Sequence, residues 1–269
     1  TLFRSPTWMG EGFQGQIGLG GGAIFQVYVP GKGNGTVIAS TVNGSYGKGM
    51  HPSQWRNFHV HGIVGATTDG RPLVTANSEH LNAHLEADTV TSSGEVRQSS
   101  VRAERTYTFE PASILCEVHL EPSAARESFA IWGGPPRLRG RVSEAYEMIP
   151  YADVPRNRRT GKKGRGAARL VAIDRTGAEV GPLGEEPIPA AGFLIDRHGY
   201  GARIELKNRM PLLLGQNDTV LIRLADEPTP IGDIGLRYRI VPFSTQPPEG
   251  PFGSAGKGVK NVLPEAKDV

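Results

Sequence analysis

Helical periodicity is nearly missing from this chain of 269 residues, and so is cysteine, of which Cys116 is the single one. One cysteine excludes an internal disulfide. Its setting, SILCEVHL, alternates like a strand, so a buried structural thiol is the expectation and a nucleophile is not. No apolar run approaches the roughly 18 to 20 residues that span a bilayer. A soluble protein is therefore expected, cytoplasmic or secreted after processing. The chain opens TLFRSPTW, with neither a methionine nor a signal-like apolar stretch, as processing or excision from a longer polypeptide would leave it. Aromatic residues make up 7% and the net charge is only +3. Nucleic acid is not an expected partner, because no aromatic-rich signature accompanies the one basic run. No cofactor is expected.

What the chain has in quantity is glycine and proline, 36 and 21 residues, above the usual level and without a repeat period. They punctuate short apolar runs: AIFQVYVP, TVIASTV, FHVHGIVG, SVRAERTYTF, SILCEVHLEP, ARLVAIDRTG, AGFLIDRHGYGARIEL, TVLIRLA and GLRYRIVPF. Each reads as a strand by its β-branched content and period-two alternation. VRAERTYTFEPASILCEVHL reads as a hairpin turning at Glu-Pro-Ala-Ser, and IDRHGYGARIEL as another turning near His198-Gly199. The best helix candidate is residues 76–87, ANSEHLNAHLEA, although it alternates as well. The expected fold is all-β, a large antiparallel β-sandwich with very little helix. It occupies residues 1–243 as one domain, and residues 244–269 form an extended Pro/Gly/Lys-rich tail.

Four clusters could carry chemistry. HPSQWRNFHVHGIVG, residues 51–65, holds three of the seven histidines. On a strand His59 and His61 point to one face, with Trp55 and Asn57, while Arg56 and Phe58 face the other way. Paired imidazoles can ligate a metal, act as general acid and base, or hydrogen-bond within a polar sheet surface. No glutamate follows His-Val-His three or four residues on, and no metal is expected. DRHGYG, residues 196–201, groups Arg197, His198 and Tyr200 at a turn. SEAYEMIPYADVP places Tyr146 among acids, where an aromatic ring could stack on a sugar. Between Asp153 and Asp174 runs a stretch with no acid at all, including Arg158, Arg159, Lys162 and Lys163. Such a run attracts polyanions by a Coulomb force that salt weakens.

The order of FHVHG, the paired VRAERTYTF and SILCEVHL, a late PLLLGQNDTVLIRLA and a closing LRYRIVPF resembles the supersandwich of galactose-mutarotase-like proteins. It is also similar to the β-domains that follow the α-barrel in many polysaccharide lyases. The first resemblance implies a site of histidines and a late glutamate on a concave sheet, with His61-Gly62 matching the early His-Gly. It departs at Leu214-Gly215-Gln216, where Pro-Gly-Glu would be expected, which speaks against aldose epimerisation and for a lyase-type or accessory sandwich. The lyase resemblance implies an arginine that neutralises a uronic carboxylate while a Tyr or His removes the C5 proton.

The functional expectation is a protein that acts on or binds a sugar polymer, acidic or neutral, with the basic run pointing to an acidic one and the chemistry lyase- or epimerase-like. His59, His61, His198 and Tyr200 would do any acid–base work. His51, Trp55, Arg56, Tyr146, Arg158, Arg159 and Arg197 would contact substrate. The alternative is a non-catalytic accessory or assembly module, partnered by copies of itself or by other domains of a parent chain.

Overall fold

The structure is a computed structural model and describes residues 7–17, 24–29, 36–40, 59–75, 78–96, 99–123, 140–151, 168–197 and 199–245. Among them there is no α-helix, and a 3-10 turn spans Ile231–Asp233. Everything else that is regular is strand, as the alternation predicts. No helix of the described residues is long and apolar enough to cross a membrane.

A four-stranded antiparallel sheet comes first in the chain: β1 (Thr7–Gly10), β2 (Phe13–Ile17), β3 (Ile24–Tyr28) and β4 (Thr36–Ala39), paired in that order. The large sheet begins with β5 (Gly62–Thr67), β6 (Pro72–Val74), β7 (Ser78–Glu86), β8 (Thr89–Val96), β9 (Val101–Glu110) and β10 (Ser113–Pro122). It continues with β11 (Arg141–Pro150), β12 (Arg169–Ile173), β13 (Glu179–Pro182), β14 (Ile188–Asp196) and β15 (Tyr200–Leu214). It ends with β16 (Thr219–Ala225), β17 (Thr229–Pro230) and β18 (Gly235–Ser244). Its main path runs β6-β5-β11-β16-β15-β18-β10-β9-β8-β7, with β12, β13, β14 and β17 branching from it.

Both anticipated hairpins form. β9 and β10 pair from Glu110↔Ser113 to Val101↔Pro122 across a two-residue turn, and β14 pairs with β15 across the turn that holds Gly199. Gly199 has φ +95°, a conformation glycine adopts at no steric cost. Residues 78–86 are strand, against the helical candidate there: β7 pairs with β8 from Ser78↔Val96 to Glu86↔Thr89. The period-two alternation of that segment prevails because a neighbouring strand supplies the hydrogen bonds.

Two apolar interfaces hold the sheets. In the first, Trp8, Phe13, Ile24, Val27 and Ile38 of the small sheet bury against Phe109, Ile114, Phe193, Ile204 and Ile240 of the large one. This is the sandwich. In the second, Ile63, Leu73 and Val142 from one end of the large sheet pack on Val96, Val101, Val118 and Leu120 from the other. Residues at opposite ends of the strand order can meet only if the sheet curls towards closure, as twisted sheets of many strands do.

Candidate functional site

β9 reads VRAERTYTFE, and its buried phase is Val101, Ala103, Arg105, Tyr107 and Phe109. That phase turns a guanidinium and a phenol inward, where each needs partners. Glu147 of β11 answers from across the curl: Arg105 Nη1 donates to Oε1 at 2.6 Å and Nη2 to Oε2 at 2.8 Å. The pair is bidentate, the strong geometry for guanidinium on carboxylate. Tyr238 of β18 donates its hydroxyl to the same Oε1 at 2.8 Å. His61 Nε2 lies 2.6 Å from the Tyr238 oxygen, and Arg105 Nη1 lies 3.4 Å from Cys116 Sγ.

The proton on His61 can be assigned. The Ile24 amide donates to Nδ1 at 3.2 Å, so Nδ1 carries a lone pair. The Tyr107 hydroxyl approaches the same nitrogen at 3.2 Å, and Nε2–H therefore donates to Tyr238. Burial, and secondarily the Arg105 charge, holds His61 well below the usual imidazole range, so it is neutral. Burial opposes the Arg105 charge too, but Glu147, Tyr107 and Cys116 together outweigh it and the guanidinium stays protonated. Burial pushes both phenols up and the Cys116 thiol to about 11. The cluster is thus a protonated arginine on a carboxylate, wired through a phenol to a neutral imidazole, and closed to solvent. His61 and Glu147 are 0% exposed.

This differs from the expected exposed pair. β5 starts only at Gly62, so His59 and His61 precede the strand and do not share a face of it. His61 turns into the core, where its amide donates to Ser40 Oγ at 3.0 Å. His59 is half-buried, with Nε2 3.3 Å from the Tyr151 carbonyl. Tyr146 is buried with Val60, Val64, Met148 and Leu221, because central strand β11 is covered on both faces. Tyr200 is buried as well, with the Arg197 guanidinium 5.2 Å above its ring centroid. Arg197 is itself 5% exposed and donates from Nη1 to the Thr36 carbonyl at 2.7 Å. His51, Trp55, Arg56, Arg158, Arg159 and His198 lie outside the described residues.

Short strand β4 brings two of the sequence clusters together. Thr36 accepts from Arg197, Ile38 bridges Tyr151, and Ser40 accepts from His61. The carbonyl of that same Tyr151 faces His59. Both ends of the basic stretch are anchored nearby as well. Tyr151 precedes it, and Arg169, towards its far end, pairs with Asp196, the neighbour of Arg197.

Arg105, Tyr107, Glu147 and Tyr238 were not singled out from sequence as a group. Arg105 gave a usable signal, a charge in phase with four apolar residues of its strand. Among the described residues no group of three His, Cys, Asp or Glu could hold a metal ion.

No protein-family model and no curated sequence matches the chain. Similar solved structures include a putative aldose 1-epimerase from Escherichia coli K12, at 8% identity and TM-score 0.49, over 89% of this chain and 99% of that one. A galactose mutarotase related enzyme from Lactobacillus acidophilus aligns at 8% identity and TM-score 0.42, over 90% and 98%. A bacterial glucoamylase complexed with acarbose aligns at 7% and TM-score 0.46, over 90% of this chain but only 34% of that one. Likeness at this level says nothing of what the chain binds.

Proposed function

We propose that this β-sandwich binds an acidic sugar polymer at the end of the small sheet marked by β4. The observation that carries the reading is that Arg197 reaches β4 directly and His59 reaches it through Tyr151, with Tyr151 just before the acid-free basic stretch and Arg169 towards its far end. A guanidinium suits a carboxylate, an imidazole suits hydroxyls, and a cationic run raises the local concentration of a polyanion. Arg158 and Arg159 supply the long-range attraction, and Arg197 and His59 the short-range contacts. His51, Trp55, Arg56, His198 and Tyr200 complete the proposed contact set.

A second reading, binding without turnover as an accessory module, is favoured by the burial of His61 and Tyr200. An imidazole sealed in the core and held neutral, and a phenol under an arginine, make a poor exposed acid–base pair. The two readings separate in one assay. Polyuronate, sulfated glycan, neutral glucan and DNA columns are run at low salt, and polyuronate eluates are scanned for the ultraviolet absorbance of unsaturated uronate. Polyuronate retention that salt weakens, and that falls when Arg158, Arg159, Lys162 and Lys163 become serine, supports binding. New absorbance adds lyase activity. Retention of no glycan, or of DNA at least as firmly, rejects the proposal.

A further inference from the structure

One end of the small sheet is fastened to the large one through an imidazole. His61 Nδ1 accepts the Ile24 amide at 3.2 Å, and the His61 amide donates to Ser40 Oγ at 3.0 Å. Ser40 Oγ in turn donates to the Ile24 carbonyl at 2.5 Å. Ile24 opens β3 and Ser40 follows β4, so these three bonds tie that end of the β3–β4 pair to His61. The small sheet has other polar ties among the described residues: the Glu11 amide to the Pro111 carbonyl, Ile38 to Tyr151, and the Thr36 carbonyl to Arg197. Those use backbone groups and a guanidinium, which do not change charge between about pH 5 and 8.

The neutral ring can take one more proton, and only at Nδ1, since Nε2–H is already given to Tyr238. The charged and titratable groups around it are Arg105 and Tyr107 of β9, Cys116 of β10, Glu147 of β11 and Tyr238 of β18. Glu147 Oε1 lies 3.6 Å from Nε2, but Arg105 and Tyr238 already donate to it. The Tyr107 hydroxyl can turn its hydrogen away and accept from a new Nδ1–H. The Ile24 amide cannot, because it has no lone pair to offer. Two N–H groups would face each other across 3.2 Å, and a buried donor would lose its acceptor beside a positive guanidinium. With that end of the pair lifted, the ring and the amide both reach water.

We propose that His61 is a proton-operated latch: uptake of a proton at Nδ1 releases the Ile24–Ser40 end of the β3–β4 pair while the β9–β10 hairpin stays folded. Burial, and secondarily the Arg105 charge, holds the closed ring well below its ordinary value near 6.5. The opened state therefore takes the proton first, and acid favours opening. Opening one end is a local event of lower free energy than unfolding. The latch does not depend on the binding reading above.

Hydrogen exchange of the full chain, followed by NMR and corrected for the intrinsic rate, reads the latch directly, because the Ile24 amide is the donor to Nδ1. That amide should open at least about tenfold more often than those of the β9–β10 hairpin. Its opening constant should rise by up to about tenfold per pH unit between about pH 6.5 and 5. In His61→Gln the rise should vanish. Ile24 and the hairpin exchanging through one common opening overturns the latch, and so does an unchanged rise in His61→Gln. If His61→Gln does not fold, His61→Asn is read in the same way. Should neither fold, nitrogen NMR of the unaltered chain decides. Nδ1 unprotonated wherever the Ile24 amide is still protected upholds the latch; a ring that charges while that amide stays protected overturns it.

Discussion

Arg105 and Arg197 are buried to nearly the same depth, 4% and 5% exposed, among opposite kinds of neighbour. Arg105 sits where the curled sheet meets itself, and its partners come from other strands: Glu147 of β11, Tyr238 of β18 and Cys116 of β10. Arg197 sits at the β14–β15 turn and meets only a carbonyl and a ring face. The first region has spent its polar capacity on itself, and its chemistry is structural. The second leaves its Nε–H without an acceptor among the described residues. Depth alone therefore does not tell how a buried arginine is satisfied; its partners do.

Four measurements would break or sharpen this contrast. Glu147→Gln should cost about 3 to 5 kcal/mol, since it strands a buried guanidinium, and should lower the melting temperature by about 10 °C. Arg105→Met with Glu147→Leu should cost less than the sum of the single changes, because the apolar pair leaves no charge uncompensated. Additive losses would mean that the two side chains do not act as a pair.

Tyr238→Phe comes next, at about 1 to 3 kcal/mol. It removes the acceptor of His61 Nε2–H, and Glu147 Oε1 is 3.6 Å away, too far to replace it at once. Denaturant titration would show the loss.

The third measurement is of pH. The folded state holds His61 below its ordinary range, so the unfolded chain binds the extra proton first as pH falls. The contribution of His61 is thus complete above the unfolded value near 6.5 and declines below it, by up to about 1.4 kcal/mol per pH unit. Stability measured between pH 7 and 5.5 (a window above most carboxylate titration) should fall with pH, and His61→Gln should flatten the slope. An identical slope in that variant would show that His61 titrates alike in the folded and unfolded states.

Arg197→Gln should have the smallest effect on stability, about 1 kcal/mol or less in either direction. The change loses a cation–π contact and one hydrogen bond but also removes an unpaired buried charge. A drop as large as that of Glu147→Gln would reveal an internal partner and erase the contrast.

The strands were legible because their alternation is local: VRAERTYTFE against SILCEVHLEP shows both hairpin arms and, at Arg105, the inward charge. β11 was read only for its sugar-facing chemistry, since its buried pattern iBiiBBBBBB does not alternate as a half-exposed strand does. That is why Tyr146 was expected at a surface and Glu147 was missed as the counterion. The imidazole pair was misplaced for a related reason. Two residues apart means one face only if the backbone is already extended, and here the strand starts at Gly62.

By itself, then, the sequence determined an all-β chain, its hairpins and its buried thiol, because these follow from near-neighbour periodicity and turn residues. Only the tertiary structure decided which polar residues are spent. Arg105 and Glu147 lie 42 residues apart on strands that are not neighbours in the sheet. Their contact exists because the sheet curls, and curl is a sum of small twists over many strands that no short stretch encodes. The same holds at β4, where residues 36, 61, 151 and 197 meet across the sandwich. Long-range packing gave one arginine a carboxylate and left the Nε–H of the other without an acceptor among the described residues.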